Sequence, residues 1–474
     1  MRRSPWATLT VLALAQFIVV LDVTIVNVAL PDIQRDLGFT TDGLQWVISA
    51  YTLLFGGFLL LGGRAADLLG SRRVFVIGLV LFGATSLAGG LAPSPGWLIA
   101  ARAVQGLGGA LLSPAALSLL TVTFEHGRRR NIAMGVWGGL AGLGGTLGVV
   151  AGGVLVDSAS WRWVFIVNVP IVIALVAVTP VFVRHIAPHP GNRGFDLLGA
   201  VLGTGGLLAL VYGVVRAEPA GWSSPEVVGC LAAGAALLAG FVAVESRAAA
   251  PLVPLRLLRS RALSTAGGAL ALNGAAFLSM FFLTAIFLQQ VRGGSALRAG
   301  LEFLPMGAAA ILAAVATTPL VTRFGTRPVQ VAGSVIDVAA LLLLSRAGAH
   351  GSYATTLMPG LMLFGVGIIA VSVPAQIAAV AEVAPREAGA ASGVVTAFYQ
   401  VGGALGLAVV TTLSTSRAGD ALAAGSSQLD ALVAGYHRGL LIAAAFTVVN
   451  LAVTAVAPRL APSADQIAEA AAAA

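Results

Sequence analysis

Apolar residues in this chain come in runs of about 20, the length of one helical bilayer crossing, and most charges fall in the breaks between runs. Fourteen such runs can be drawn, at about 7–30, 44–63, 74–92, 97–121, 132–156, 163–183, 196–215, 226–244, 262–289, 301–321, 329–347, 355–379, 389–413 and 438–456. The pattern predicts an all-α integral membrane protein with fourteen transmembrane helices. The first run is too long for a signal peptide and lacks a small-residue cleavage site, so it reads as a retained span.

Composition narrows the picture. A soluble domain is about one quarter charged, whereas this chain is 10% charged and 58% hydrophobic, with a mean hydropathy of +0.95. No aqueous fold hides that much apolar surface. The net charge of +8 comes from arginine, because all 27 basic residues are Arg and the sequence has no Lys. Walker-type phosphate loops and Schiff-base catalysis both need a Lys, so nucleotide hydrolysis and imine chemistry are excluded and no enzyme is expected. The arginines are scattered through short loops, which argues against nucleic acid as a partner. Eighteen of them fall on the side of the N-terminus and eight on the other, which predicts cytoplasmic N- and C-termini. Cys230 is the sole cysteine, so no intrachain disulfide forms, and the five histidines lack metal-ligand spacing. No cofactor or metal is expected.

Two internal echoes suggest duplication. Leu69-Gly70-Ser71-Arg72-Arg73-Val74, with Gly78 beyond, recurs as Phe324-Gly325-Thr326-Arg327-Pro328-Val329 with Gly333; Gly144-Gly145-Thr146-Leu147-Gly148 recurs as Gly402-Gly403-Ala404-Leu405-Gly406. Both echoes jump eight spans. The simplest organisation is an N-terminal six-helix bundle (7–183), two inserted helices with their loops (184–261), a C-terminal six-helix bundle (262–456) and a cytoplasmic Ala-rich tail (457–474).

Ionic groups inside the apolar runs are costly, about 2.5–3.5 kcal/mol each at a helix centre on insertion scales, and mark function by default. Asp22 interrupts the first run, with Thr24 and Asn27 following; Arg102 lies mid-span in the fourth, with Gln105 one turn on; Asp337 is alone in the eleventh. Each admits a structural role as well, as an interhelical hydrogen-bonding group that never titrates. Glu302 reads as a solvated rim charge, and Tyr399 and Gln400 as either cavity-lining or packing groups. Gly144, Gly148 and Gly152 recur at four-residue spacing and, with Gly153 beside the last, predict one smooth stripe for close helix packing.

The stretches Leu21-Asp22-Val23-Thr24-Ile25-Val26-Asn27-Val28-Ala29-Leu30-Pro31 and Trp161-Arg162-Trp163-Val164-Phe165-Ile166-Val167-Asn168-Val169-Pro170 resemble the major facilitator superfamily, and within it the fourteen-span drug:proton antiporters of the EmrB/QacA type. Pro251-Leu252-Val253-Pro254-Leu255 and Phe303-Leu304-Pro305 extend the resemblance, which covers nearly the whole chain. The loop Gly63 to Arg73 is similar to the superfamily's signature between spans two and three, so the resemblance implies a conformational latch formed by Gly63, Asp67, Gly70 and Arg72. By residue chemistry, Gly63 would permit close approach and Gly70 a positive φ. Leu68 and Ser71 stand where basic residues are usual, which implies a weaker latch. Span five is similar to the antiporter motif, with Val149 where Pro is usual. The resemblance further implies proton coupling through Asp22 and Arg102.

These expectations combine into the major facilitator fold, two six-helix bundles plus two inserted helices, working by alternating access. The protein would be a monomeric exporter of amphipathic small molecules in a bacterial plasma membrane, driven by protons alone. The rivals are an exporter of one metabolite, such as a self-made antibiotic, siderophore or amino acid, and a non-transporting membrane sensor.

Overall fold

The computed structural model describes residues 4–124, 133, 147–183, 196–248, 251, 255–383 and 388–458, and among them there is no strand. The helices are α1 (Pro5–Leu37), α2 (Thr41–Leu44), α3 (Trp46–Leu69), α4 (Ser71–Gly90), α5 (Pro95–Thr123), α6 (Leu147–Ser158), α7 (Trp163–Ile166), α8 (Asn168–Phe182), α9 (Leu197–Ala220), α10 (Pro225–Glu245), α11 (Arg261–Ile286), α12 (Ala296–Phe324), α13 (Thr326–Leu344), α14 (Met358–Ala381), α15 (Ala388–Ala423) and α16 (Gln428–Ala455). Eleven helical segments among the described residues are long and apolar enough to cross a membrane. Three shorter apolar stretches, Trp46–Leu59, Leu147–Ser158 and Val201–Val214, fall on the second, fifth and seventh predicted runs.

Helix ends follow local chemistry. Pro5, Pro95 and Pro225 occupy first-turn positions, where a missing N–H costs nothing. Ser94 and Ser224 cap α5 and α10 by accepting from the Trp97 and Val227 amides. The echoed loops share one geometry, with Gly70 at φ 91° between α3 and α4 and Gly325 at φ 84° between α12 and α13. A side chain at either position would be strained in that left-handed backbone.

The chain forms two compact units, Met1–Val253 with Ala285–Phe303 and Pro254–Thr284 with Leu304–Ala474. In the first, α5 packs against both α3 and α4 around a core that includes Leu12, Ile18, Phe75, Phe82 and Leu112. The α3–α5 crossing is closest at Gly62, where an added Cβ would lie 2.0 Å from the Ala110 carbonyl oxygen. At Gly63 a Cβ would meet only Pro114 Cβ, at 3.7 Å. The close approach expected at Gly63 is therefore made by its neighbour, since adjacent helical positions point about 100° apart. The α9–α10 hairpin packs on itself, and Thr204 of α9 sits against Gly57 of α3, where a Cβ would fall 2.4 Å from the threonine oxygen. In the second unit α13 packs against α14 and α16, and Gly402 of α15 lies on the Ala271 backbone of α11.

Candidate functional site

Asp22, in the middle of α1, is fully buried, and so are the groups that meet it. Arg102 of α5 donates through Nη1 to Asp22 Oδ2 at 2.5 Å and to Gln105 Oε1 at 2.7 Å. Gln105 in turn donates through Nε2 to Asp22 Oδ1 at 2.9 Å and to Ser86 Oγ of α4 at 2.7 Å. Asn168, at the start of α8, donates to the same Oδ1 at 3.1 Å. The carboxylate thus receives three donors from two helices other than its own.

The arginine is held on its other edge. Its Nε donates to the Val47 carbonyl of α3 at 2.9 Å, and its guanidinium carbon lies 4.3 Å from the Tyr51 ring centroid. With 1% exposure this is a desolvated cation on an aromatic face, and such a contact is worth about 2 kcal/mol. Arg102 thus pairs with an acid of α1 and also donates to a backbone carbonyl of α3. Burying two charges costs several kcal/mol per ion, which their attraction offsets only with good geometry and added hydrogen bonds. Here both conditions are met.

Several buried polar atoms in the first unit have no hydrogen-bond partner among the described residues: Asn27 Oδ1, Asn168 Oδ1, Tyr51 Oη, Ser49 Oγ and both ends of the Gln45 amide. Asn27 donates to the Val23 carbonyl of its own helix at 2.7 Å. Unpaired groups of this kind cost about 1–3 kcal/mol each and usually answer to water, ligand or another conformation.

Glycines set the acid's helix in place. A Cβ on Gly148 would lie 2.9 Å from the Leu21 carbonyl oxygen, and one on Gly152 would lie 2.9 Å from that of Ile25. The α6 backbone thus packs on the segment of α1 that carries Asp22. Gly153 departs from the expected stripe: it faces Leu297, whose Cα would be 2.5 Å from an added Cβ, because one residue further round the helix is another face. Gly144 lies outside the described residues, as does the Asp67 side chain. Arg72 is half-buried in the first turn of α4. Asp337, Tyr399 and Gln400 lie in the second unit, with Asp337 buried and the other two half-buried. Glu302 is half-buried, its side chain 13% exposed, and it accepts from the largely exposed Arg298 at 3.1 Å, one helical turn away.

The Trp161-Arg162 pair ties the far end of α1. Trp161 Nε1 and Arg162 Nη1 both donate to Asp36 Oδ2 at 2.9 Å, and Arg162 Nη2 donates to the Ala92 carbonyl at 3.2 Å. Asn168, Ser86 and Tyr51 were not singled out from sequence. Asn168 carried a legible signal, a polar amide inside an apolar run, whereas Ser86 and Tyr51 are ordinary residues in ordinary helices.

A buried ion pair inside a helical membrane unit marks a functional site by default. Residues 12–407 match the profile of the Major Facilitator Superfamily. The chain belongs to that superfamily. A puromycin resistance protein of Streptomyces alboniger is 41% identical over 95% of this chain and 90% of its own length. A cephamycin export protein of Amycolatopsis lactamdurans is 38% identical over 95% of the chain and 92% of that protein. Among solved structures, a bacterial homologue of the human lysosomal transporter Spinster superposes with a TM-score of 0.69 at 16% identity, over 98% of this chain and all of that one. That likeness concerns the fold. The chain is a multi-pass membrane transporter of the major facilitator superfamily, not an enzyme.

Proposed function

We propose that this major facilitator protein exports amphipathic small molecules, antibiotics among them, in exchange for protons entering the cell, by alternating access. The observation that carries the reading is the buried Asp22–Arg102–Gln105–Asn168 network. Asp22 is the acid of the network, and protonating it would remove the charge that balances Arg102. Proton and cargo then act on one switch: a proton on Asp22 loosens α1 from α5 and α8, and its loss restores the pair. An entering proton supplies about 2.3 kcal/mol per 100 mV of membrane potential, and no cofactor takes part in this scheme. Asn27 and Gln105 are the polar companions of the acid, and Tyr399 and Gln400 are proposed cargo contacts in the second unit. Gly63, Asp67, Gly70 and Arg72 are proposed as a latch of one conformation, with Gly148 and Gly152 fixing α1 for the exchange.

In this proposal the protein works as a monomer in a bacterial plasma membrane, with both termini cytoplasmic. The repeated Gly70 and Gly325 loops support a duplicated pair of six-helix bundles with α9 and α10 inserted between them. The resistance and export proteins named above favour antibiotics as cargo, including the narrower case of one self-made antibiotic. Everted vesicles with a preset pH gradient test the proposal: puromycin or a panel of amphipathic antibiotics is expected to collapse the gradient. Binding of these compounds without any flux would replace the exporter with a sensor.

A further inference from the structure

The two units treat the same helix crossing differently. The loop echo aligns α4 with α13, so that Ser71, Phe75, Gly78, Leu79 and Phe82 correspond to Thr326, Gln330, Gly333, Ser334 and Asp337. The crossings are built alike. An added Cβ on Gly78 would lie 2.9 Å from the Gly108 carbonyl oxygen of α5, and one on Gly333 would lie 3.0 Å from that of Gly367 on α14. In the first unit Phe75, Leu79 and Phe82 fill this face with hydrocarbon and are fully buried. In the second, Thr326, Gln330, Ser334 and Asp337 fill it, and all four are at most 2% exposed. Spaced four, four and three residues apart, they form one polar stripe of about 16 Å along α13. Only Ser71, opposite Thr326, is polar on the equivalent face, so the fold does not require polar groups at the positions of Gln330, Ser334 and Asp337.

The stripe ends on a carboxyl with no countercharge at hand among the described residues. Asp337 Oδ1 has no hydrogen-bond partner among the described residues and presses on Gly367, where even a methyl group would lie 2.2 Å from it. The elements packed on α13 are α14, α16 and the turn Tyr353–Leu357. Among their described residues, α14 offers no titratable group and the turn offers Tyr353. The titratable groups of α16 are Asp430, Tyr436, His437 and Arg438, all near its N-terminal end. His437 bonds to the Ala347 carbonyl, about 15 Å along the helix axis from Asp337. On α13 itself Arg327 lies a similar distance the other way. A carboxylate so placed would be a buried charge without compensation, whereas Asp22 has an arginine and two amides.

We propose that Asp337 is a second proton-binding site, neutral in this conformation and loaded along the polar stripe from the Thr326 end of α13. The proton comes from water at the Arg323–Arg327 loop, is held as a carboxylic acid and leaves as a free proton from the carboxylate that remains. Its coupling to cargo rests on the exporter reading; the protonation does not.

Infrared spectra of the reconstituted protein at neutral pH test it. A protonated-carboxyl carbonyl band is expected in wild type and in Asp22→Asn, displaced in Asp337→Glu and lost in Asp337→Asn. A band that survives Asp337→Asn unchanged, or is missing from wild type, overturns the site. Gln330→Leu with Ser334→Ala, which copies the apolar face of α4, is expected to slow deuterium exchange into that band severalfold. An unchanged exchange rate overturns the path. In everted vesicles Asp337→Asn is expected to bind puromycin but to move fewer protons per puromycin than wild type, and an unaltered ratio removes the coupling. Absence of any puromycin flux in wild type would count against the exporter reading and leave the infrared result standing.

Discussion

Replacing Asp22 by Asn keeps the size and changes one oxygen into a donor. In the folded protein Oδ1 receives Gln105 and Asn168 while Oδ2 receives Arg102, so whichever way the new amide turns, its NH2 group faces a donor. The orientation that keeps the two neutral amides satisfied leaves Arg102 without its anion. Removing one partner of a buried ion pair costs about 3–5 kcal/mol. Arg102 still holds Gln105 Oε1, the Val47 carbonyl and the Tyr51 ring, which places the cost near the lower bound, about 3 kcal/mol. If that cost falls on the exchange step, turnover drops by about two orders of magnitude, at about 1.4 kcal/mol per tenfold. The assay is a double-mutant cycle of Asp22→Asn and Arg102→Gln, read by thermal unfolding of the solubilised protein and by antibiotic-evoked proton movement in everted vesicles. The double variant is expected to be more stable than Asp22→Asn alone, because removing the arginine removes the stranded charge, yet to remain inactive. Additive effects on stability, or wild-type pumping by Asp22→Asn, would refute the reading of this pair as the coupling switch.

Further expectations concern residues around the pair. Asn168→Leu leaves Oδ1 with Gln105 alone, and loss of a hydrogen bond to a charged group should cost about 1.5–3 kcal/mol in stability, measurable by the same thermal unfolding. Gly62→Ala should destabilise by about 1–3 kcal/mol through overpacking against Ala110, while Gly63→Ala, with ordinary contact distance in a helix interior, should stabilise by about 0.5–1 kcal/mol. Ser224→Ala should cost about 1 kcal/mol in unfolding free energy by uncapping α10. Arg162→Lys cannot span Asp36 and Ala92 with one planar fork; amide exchange at the end of α1 should quicken, and an unchanged rate would show the tie to be idle.

Much of the fold was legible because a bilayer imposes one length on every crossing, and as far as the described residues reach each predicted run falls on an apolar helix or helical stretch. Gly70 was legible too, since a glycine between two helical runs has few other uses than a positive φ. The partners of Asp22 were not. Arg102 and Asn168 lie 80 and 146 positions away in the chain, and nothing in helical spacing says which faces of α1, α5 and α8 will meet. The same blindness explains the glycines. Gly62 and Gly63 look equivalent in a row, yet only Gly62 meets backbone, and Gly152 and Gly153 both meet backbone but on different helices, α1 and α12.

The hairpin of α9 and α10 bears on how this transporter tolerates change. Leu198, Val201, Trp222, Val228 and Val242 turn outward from it, so its outer face, most of all on α10, answers to hydrocarbon solvent rather than to fitted neighbours. Thr204 is different, since it is wedged against Gly57 on the helix whose earlier turns carry Val47 and Tyr51. Drift should therefore be broad on the outward face of the hairpin and narrow where Gly206 and Gly234 bring its two helices together and at Thr204, where a bulkier side chain would push on the scaffold that grips the buried guanidinium.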